Sequence, residues 1–282
     1  MRVKIEIMNR NIIIFSCLAL LLSGCANEFN RIYRSQDNIY KYECAKQYYA
    51  VGKFQQAATL LQDIVTSQKG RQNAQESLYM LGMAQYCNQD YDAASATFKK
   101  YFSTYPKGDY AELASFYVGE SLYQSAPEPR LDQTPTLGAI SAYQTFMDYF
   151  PESPYREQAQ NKLFKLQDIL IQKELLSARL YYNLGGYFGN INANTESNYE
   201  ACIITAQNAL KKYPYTYMRE QFSALIMKSK YYLASNSSEE KRLDRYRDAE
   251  DECYGFLNEF PDSKEAETAQ KFIEKCKKVT KD

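Results

Sequence analysis

Apolar side chains recur through most of the chain at the three- and four-residue spacing of a helix with one buried face. The clearest segment is 91–106, where one face carries Tyr91, Ala94, Phe98, Tyr101 and Tyr105. Pro106 follows directly, and proline ends a helix because it lacks an N–H group and disfavours the α conformation of the preceding residue. The pattern predicts an amphipathic helix that buries its aromatic face and ends before Pro106.

The same pattern is repeated along the chain. Four aromatic–proline pairs punctuate it, namely Tyr105-Pro106, Phe150-Pro151, Tyr213-Pro214 and Phe260-Pro261. A small residue stands twelve positions before each proline, in the order Ala94, Ala139, Cys202 and Ala249. A further copy without the proline begins at Phe54. We therefore predict five similar helices, each the second helix of a repeat, with starts at 54, 91, 136, 199 and 246.

Another helix-forming segment precedes each of these helices, so the chain is predicted to be all-α. We expect a helical-repeat solenoid of about five repeats, closed by a capping helix at 262–279. The copies are spaced unevenly because polar or proline-rich segments lengthen the turns at 125–135, 185–197 and 235–240. One first helix, 156–184, contains no breaker and would be ~43 Å long at ~1.5 Å per residue.

The N-terminus has the dimensions of a signal peptide. Three basic residues precede an apolar run at 12–22, which is too short for an ordinary membrane span and ends in Leu22-Ser23-Gly24-Cys25. This ending resembles a bacterial lipobox, in which cleavage precedes a lipidated cysteine. The resemblance implies a signal peptide at 1–24 and a linker at 25–36 that begins with acylated Cys25. An uncleaved anchor or an ordinary secretory signal is the alternative. Ala26 favours the outer membrane, because the inner-membrane retention signal places aspartate there.

Composition excludes several classes of function. The residues after position 24 hold 31 Lys and Arg against 33 Asp and Glu, so no basic surface is available to follow a nucleic-acid backbone. The chain has no histidine, the commonest metal ligand and general base. We therefore expect no catalytic site, no metal and no cofactor. Five cysteines remain after Cys17 and Cys25, and none shows the spacing of a redox motif, so we expect buried free thiols rather than a disulfide.

Residues 74–106 resemble a tetratricopeptide repeat. Leu78, Leu81 and Gly82 stand where that family has Trp-x-x-Leu-Gly, and Ala94, Phe98 and Pro106 follow at the family spacing. When the first three repeats are aligned on Ala45, Gly82 and Gly119, positions five and twelve are all aromatic. They are Tyr42 and Tyr49, Tyr79 and Tyr86, and Phe116 and Tyr123, with Lys46, Met83 and Glu120 between them at position nine.

The two aromatic positions of each repeat share one helical face, because seven residues make two turns. In tetratricopeptide proteins that face lines a concave groove, which implies a groove for a peptide that ends in aromatic residues. Ordinary packing among the 27 tyrosines of the chain is the alternative.

The whole arrangement, a lipobox followed by five such repeats, is similar to the BamD family of the outer-membrane protein assembly complex. Four stretches support the resemblance: 132–140, 173–182, 213–220 and 258–263. The resemblance implies a lipid-anchored protein on the periplasmic face of the outer membrane. Repeats one to three, at 37–151, would bind unfolded barrel proteins, and 152–282 would hold a BamA-type subunit. The alternatives are another periplasmic repeat lipoprotein, for type IV pilus assembly or cell-envelope coordination, and a SusD-type carbohydrate-binding lipoprotein.

Overall fold

The computed structural model describes residues 28–67, 73–185 and 197–281, so Cys25 and the predicted signal peptide lie outside the described residues. A short helix spans 28–33, and none of the described residues forms a β-strand. The longer helices are α1 (Asn38–Ala50), α2 (Phe54–Ile64), α3 (Ala74–Cys87), α4 (Tyr91–Thr104), α5 (Ala111–Gln124), α6 (Thr134–Tyr149), α7 (Arg156–Leu184), α8 (Asn198–Lys212), α9 (Arg219–Ser235), α10 (Glu239–Glu259) and α11 (Ala266–Thr280). None of these described helices is both long enough and apolar enough to cross a membrane.

Each helix from α1 to α6 packs against the next one in sequence, and the helices from α8 to α11 do the same. The contacts divide the chain into two compact units. The first consists of the chain up to 126 together with 134–163, and the second consists of 127–133 together with the chain from 164 onward. The predicted all-α helical-repeat fold is confirmed.

The aromatic–proline pairs end the second helices as predicted. Helix α4 ends at Thr104, α8 at Lys212 and α10 at Glu259, in each case one residue before the aromatic residue of the pair. Those aromatic residues share one backbone conformation, with φ between −131° and −129° and ψ between 63° and 68°. Each still donates its N–H to the carbonyl four residues earlier. The proline that follows therefore stops the helix without leaving that donor unsatisfied.

Two helix boundaries show how local sequence sets an element's length. Helix α7 spans Arg156–Leu184, as the absence of breakers predicted. Helix α10 instead begins at Glu239, seven residues before the predicted start at 246. Ser238 has an extended backbone, and Glu239 and Glu240 occupy the first turn, where carboxylates interact favourably with the positive end of the helix dipole. The last two residues of the turn predicted at 235–240, Glu239 and Glu240, therefore belong to the helix instead.

Close helix contacts in the first unit depend on glycine. A Cβ atom at Gly82 of α3 would lie 2.6 Å from the ring of Phe98 in α4. A Cβ atom at Gly119 of α5 would lie 2.7 Å from the ring of Tyr143 in α6. Both rings are fully buried and have no space into which to move. The first helices can therefore approach the second helices this closely only because these positions have no side chain.

The five cysteines of the described residues are free thiols, as predicted. Cys44, Cys202, Cys253 and Cys276 are buried, whereas Cys87 is only partly buried, which corrects the expectation that all five are enclosed. Burial raises the pKa of Cys253 to about 12 and that of Cys276 to about 11. These side chains therefore remain protonated and pack as small apolar groups.

We predict that Gly82→Ala lowers the free energy of unfolding by about 1–3 kcal/mol, because the added methyl group overpacks the contact with Phe98. The matched control is Gly255→Ala, at an exposed position of α10 four residues before the helix ends, where a Cβ atom meets nothing within 4 Å. That change should stabilise the protein by up to ~1 kcal/mol through helix propensity. Urea unfolding of both variants provides the measurement, and equal effects of the two substitutions would contradict the packing argument.

Candidate functional site

The six aromatic residues predicted to line a groove lie on the first helices of three successive repeats. Helix α1 carries Tyr42 and Tyr49, α3 carries Tyr79 and Tyr86, and α5 carries Phe116 and Tyr123. Their exposure differs: Tyr42 is 2% exposed and Phe116 is 4% exposed, whereas the other four are partly exposed. Only Tyr49, Tyr79, Tyr86 and Tyr123 can therefore offer ring surface to a ligand without rearrangement.

The partly exposed rings also pack against aromatic neighbours. Tyr79 stacks on Tyr110, with ring centroids 4.5 Å apart. Tyr86 meets Tyr91 edge-on at 5.5 Å and Tyr117 at 5.2 Å. Since Tyr91 begins the second helix of the same repeat and Tyr117 lies on the next first helix, these contacts hold neighbouring repeats together. Packing thus accounts for part of the aromatic pattern, and it fixes the orientation of the exposed edges.

The residues at position nine differ in character. Lys46 lies with its Nζ atom 4.8 Å from the centroid of the Tyr42 ring and pairs with Glu43 at 2.9 Å. Met83 packs at the edge of the apolar cluster that contains Phe98. Glu120 is 5% exposed, which is unusual for a carboxylate and requires compensating contacts.

Glu120 receives those contacts from several elements. The hydroxyl of Tyr143 donates to its carboxylate at 3.2 Å, the amide of Gln124 at 3.3 Å, and the hydroxyl of Tyr86 at 3.4 Å. Lys162, in the first turns of α7, forms an ion pair with the same carboxylate. The ammonium group also lies 4.8 Å from the centroid of the Tyr123 ring. One buried carboxylate therefore connects α3, α5, α6 and α7.

Electrostatics keep the tyrosine hydroxyls in the donating state. Burial, followed by the charge of Glu120, raises the pKa of Tyr86 to about 12. The same two causes raise the pKa of Tyr143 above its ordinary value. Both hydroxyls therefore stay protonated at neutral pH, because ionising either would place a second negative charge beside the carboxylate.

The repeat register predicts Glu120 as a position in the row but gives no signal for Lys162. No repeat spacing connects the two residues, which are 42 positions apart. Within the described ranges, no group of three or more Cys, Asp or Glu side chains is arranged to hold a metal ion. In the described residues, the site therefore consists of partly exposed tyrosine rings and one buried ion pair beneath them.

The fold and this row define the class of protein: an all-α helical-repeat protein with a partly exposed row of tyrosines in its first three repeats. A model of the family described as YfiO, outer membrane lipoprotein, matches residues 34–242. The match covers most of the chain, so the chain belongs to this family of outer membrane lipoproteins.

Two relatives are similar to the chain at low identity. The outer membrane protein assembly factor BamD of Caulobacter vibrioides is 21% identical over 171 residues, which make up 60% of this chain. The aligned stretch spans just over half, 56%, of that relative's own length. The protein with the same name from Pasteurella multocida is 22% identical over 231 residues, covering 75% of this chain and 88% of the relative. The resemblance to the BamD family is confirmed.

We predict that Lys162→Met destabilises the protein by about 3–5 kcal/mol, because the Glu120 carboxylate is then buried without its cation. Combining it with Glu120→Gln should recover much of the loss, since no unpaired charge remains. The matched control is Lys271→Met, which breaks an exposed pair with Glu267 and should change stability little. If the two lysine substitutions have the same effect on urea unfolding, the ion pair has no special structural role.

Proposed function

We propose that this chain is an outer-membrane lipoprotein scaffold of the β-barrel protein assembly machinery. In this role it binds a BamA-type subunit and unfolded barrel proteins, and it acts by binding rather than by catalysis. The observation that carries the proposal is the alignment with a protein named as an assembly factor over 88% of that protein's length. The partly exposed tyrosines of the first three repeats supply the binding surface that such a role needs.

The proposal includes a lipid anchor at Cys25, on the periplasmic face of the outer membrane. Cys25 is three residues before Glu28, where the described chain begins. Three residues span at most ~10 Å even when fully extended. Acylation of Cys25 would therefore hold the first repeat close to the lipid headgroups.

Cys25→Ser is expected to release the protein from the outer-membrane fraction, because it removes the atom that carries the acyl chains. Cys87→Ser serves as the matched control, since Cys87 is a partly buried free cysteine in the folded part. Fractionation and immunoblotting measure the distribution. If the Cys25→Ser protein still sediments with outer membrane in processed form, the anchor assignment is wrong.

We assign the substrate groove to the row of Tyr49, Tyr79, Tyr86 and Tyr123. A ring with a hydroxyl tip contacts an apolar side chain and still interacts with water when the groove is empty. Barrel proteins commonly end in aromatic residues, so an extended C-terminal peptide matches such a row. The buried Tyr42 and Phe116 would support the groove from beneath, and Lys46 and Met83 would lie between the rings.

A barrel C-terminal peptide should bind the Tyr49→Ala, Tyr86→Ala double variant at least tenfold more weakly than the wild type. Each ring buried on binding contributes on the order of 1 kcal/mol or more. The control is Tyr215→Ala with Tyr217→Ala, which removes two highly exposed rings of the second unit. Fluorescence anisotropy gives the affinities, and circular dichroism checks that each variant is folded. Unchanged affinity in a folded groove variant would leave packing as the role of the row.

We assign partner docking to the C-terminal repeats together with α7. Isolation of the tagged full-length protein from native outer membranes should recover a β-barrel assembly subunit. Recovery of pilus or peptidoglycan-binding proteins without that subunit would instead favour another periplasmic repeat lipoprotein. Mild detergent and mass spectrometry suffice for the measurement, and an untagged strain provides the background.

A further inference from the structure

A groove of about 400 Å³ lies along the C-terminal half of α7, within the second unit. Its floor includes Leu176 and Leu180, and its opposite side is the turn that contains Pro129 and Arg130. The ammonium group of Lys173 donates a hydrogen bond to the carbonyl of Leu131 at 3.0 Å. This bond connects the turn to the helix, so the two sides of the groove have a defined separation.

The charges that line the groove have one sign. Arg130, Lys173 and Arg179 are lining residues, and no carboxylate among the described residues lines the groove. The acidic residues of the same turn, Glu128 and Asp132, are not among the lining residues. None of the three cations forms an ion pair with a carboxylate of the described residues. The described side chains that line this groove therefore carry three positive charges, and Arg179 also lines a neighbouring cleft that contains Glu220 and Glu265.

Apolar surface runs through the same groove. Leu176, Leu180 and Leu184 are spaced by four residues and therefore share one face of α7. Leu180 is 57% exposed and Leu184 is 39% exposed. Leu131, on the facing turn, is also exposed. Leu176 and Leu180 line the groove itself, whereas Leu184 lies one helical turn beyond them and Leu131 lies on the facing turn. Exposed leucines grouped beside arginine and lysine are the pattern of a binding surface rather than of isolated exposed residues.

We propose that this groove docks an acidic amphipathic helix of a partner protein. Leucine-type side chains of that helix would pack along Leu176, Leu180 and Leu184, as ridges of one helix pack into grooves of another. Carboxylates beside them would pair with Arg130 and Arg179, whose planar groups bind carboxylates through two hydrogen bonds. The inference deepens the partner-docking function proposed above for the C-terminal repeats, and it rests on that function.

Two designed helical peptides test the chemistry directly with the full-length protein. Both carry leucines at four-residue spacing, and they differ only in having glutamate or lysine at the flanking positions. The glutamate peptide should bind at least tenfold more tightly, and its affinity should fall as salt screens the charges. Equal binding of the two peptides, or binding of neither, would overturn the proposal.

Substitutions in the groove then locate the binding. Arg130→Glu with Arg179→Glu should weaken binding of the glutamate peptide at least tenfold. The control is Lys99→Glu with Lys100→Glu on α4, which makes the same change in net charge on the first unit. If the control weakens binding equally, the attraction comes from overall charge and the groove is not the site.

A photo-reactive amino acid at position 180 tests the groove in living cells, with the exposed Ile204 of α8 as the control position. Cross-linking at 180 to an acidic, leucine-containing segment of another protein supports the proposal. The proposal is overturned if the probe cross-links only to the chain's own residues 186–196 or to a basic segment. It is also overturned if no cross-link forms.

Leu180→Glu separates this inference from the proposed function. The substitution places a negative charge in the groove and should reduce co-isolation of the assembly subunit at least tenfold. If the subunit is still recovered at the wild-type level, the groove assignment fails while the proposed function stands. If the wild-type protein does not recover the subunit, the proposed function itself fails.

Discussion

In the second and third repeats, the contact between the two helices depends on a close approach between a glycine and an aromatic ring. Gly82 meets Phe98 and Gly119 meets Tyr143, and in both cases a single methyl group would collide with the ring. The close approach buries the ring completely and sets the distance between the two helices. Because consecutive helices also pack against one another, the spacing within one repeat affects the position of the next repeat. The spacing of the first and second helices in the repeats that carry Tyr79, Tyr86 and Tyr123 therefore depends on these contacts.

The buried ion pair adds a polar constraint to this apolar packing. Glu120 has a fixed position because two hydroxyls, one amide and one ammonium group all interact with its carboxylate. Such a network adds little net stability compared with apolar packing, since desolvation of both charges offsets their attraction. It does penalise any arrangement in which Lys162 leaves the carboxylate. The ion pair therefore fixes the start of α7 against α5, which apolar packing alone would do less specifically.

The two units differ in the surfaces that they offer. The first unit presents edges of tyrosine rings, which accept apolar and polar contacts with little conformational cost because a ring has few rotatable bonds. The second unit presents leucines beside arginine and lysine along α7. The two proposed ligands, an extended aromatic peptide and an acidic amphipathic helix, follow from this difference in surface chemistry.

The sequence by itself determined the helices, because the information is local. Aromatic–proline pairs end α4, α8 and α10 where they were expected, since proline acts on the residue beside it. The unbroken segment 156–184 likewise gave the full length of α7. Helix α10 was placed too late because the segment 235–240 was interpreted as a turn, although its last two residues, Glu239 and Glu240, suit a helix N-terminus. The aromatic positions of the row were also visible, because two helical turns put them on one face.

Only the tertiary structure decided which of those rings are exposed, since exposure depends on neighbours from other repeats. Tyr42 and Phe116 occupy the same register position as Tyr79, yet both are buried and Tyr79 is not. The pairing of Glu120 with Lys162 joins residues 42 positions apart, which no periodicity predicts. The basic groove on α7 likewise requires Arg130 from a turn and Arg179 from a helix to line one cavity. Such contacts are set by the packing of elements that are distant in sequence, and they were decided only when the chain folded.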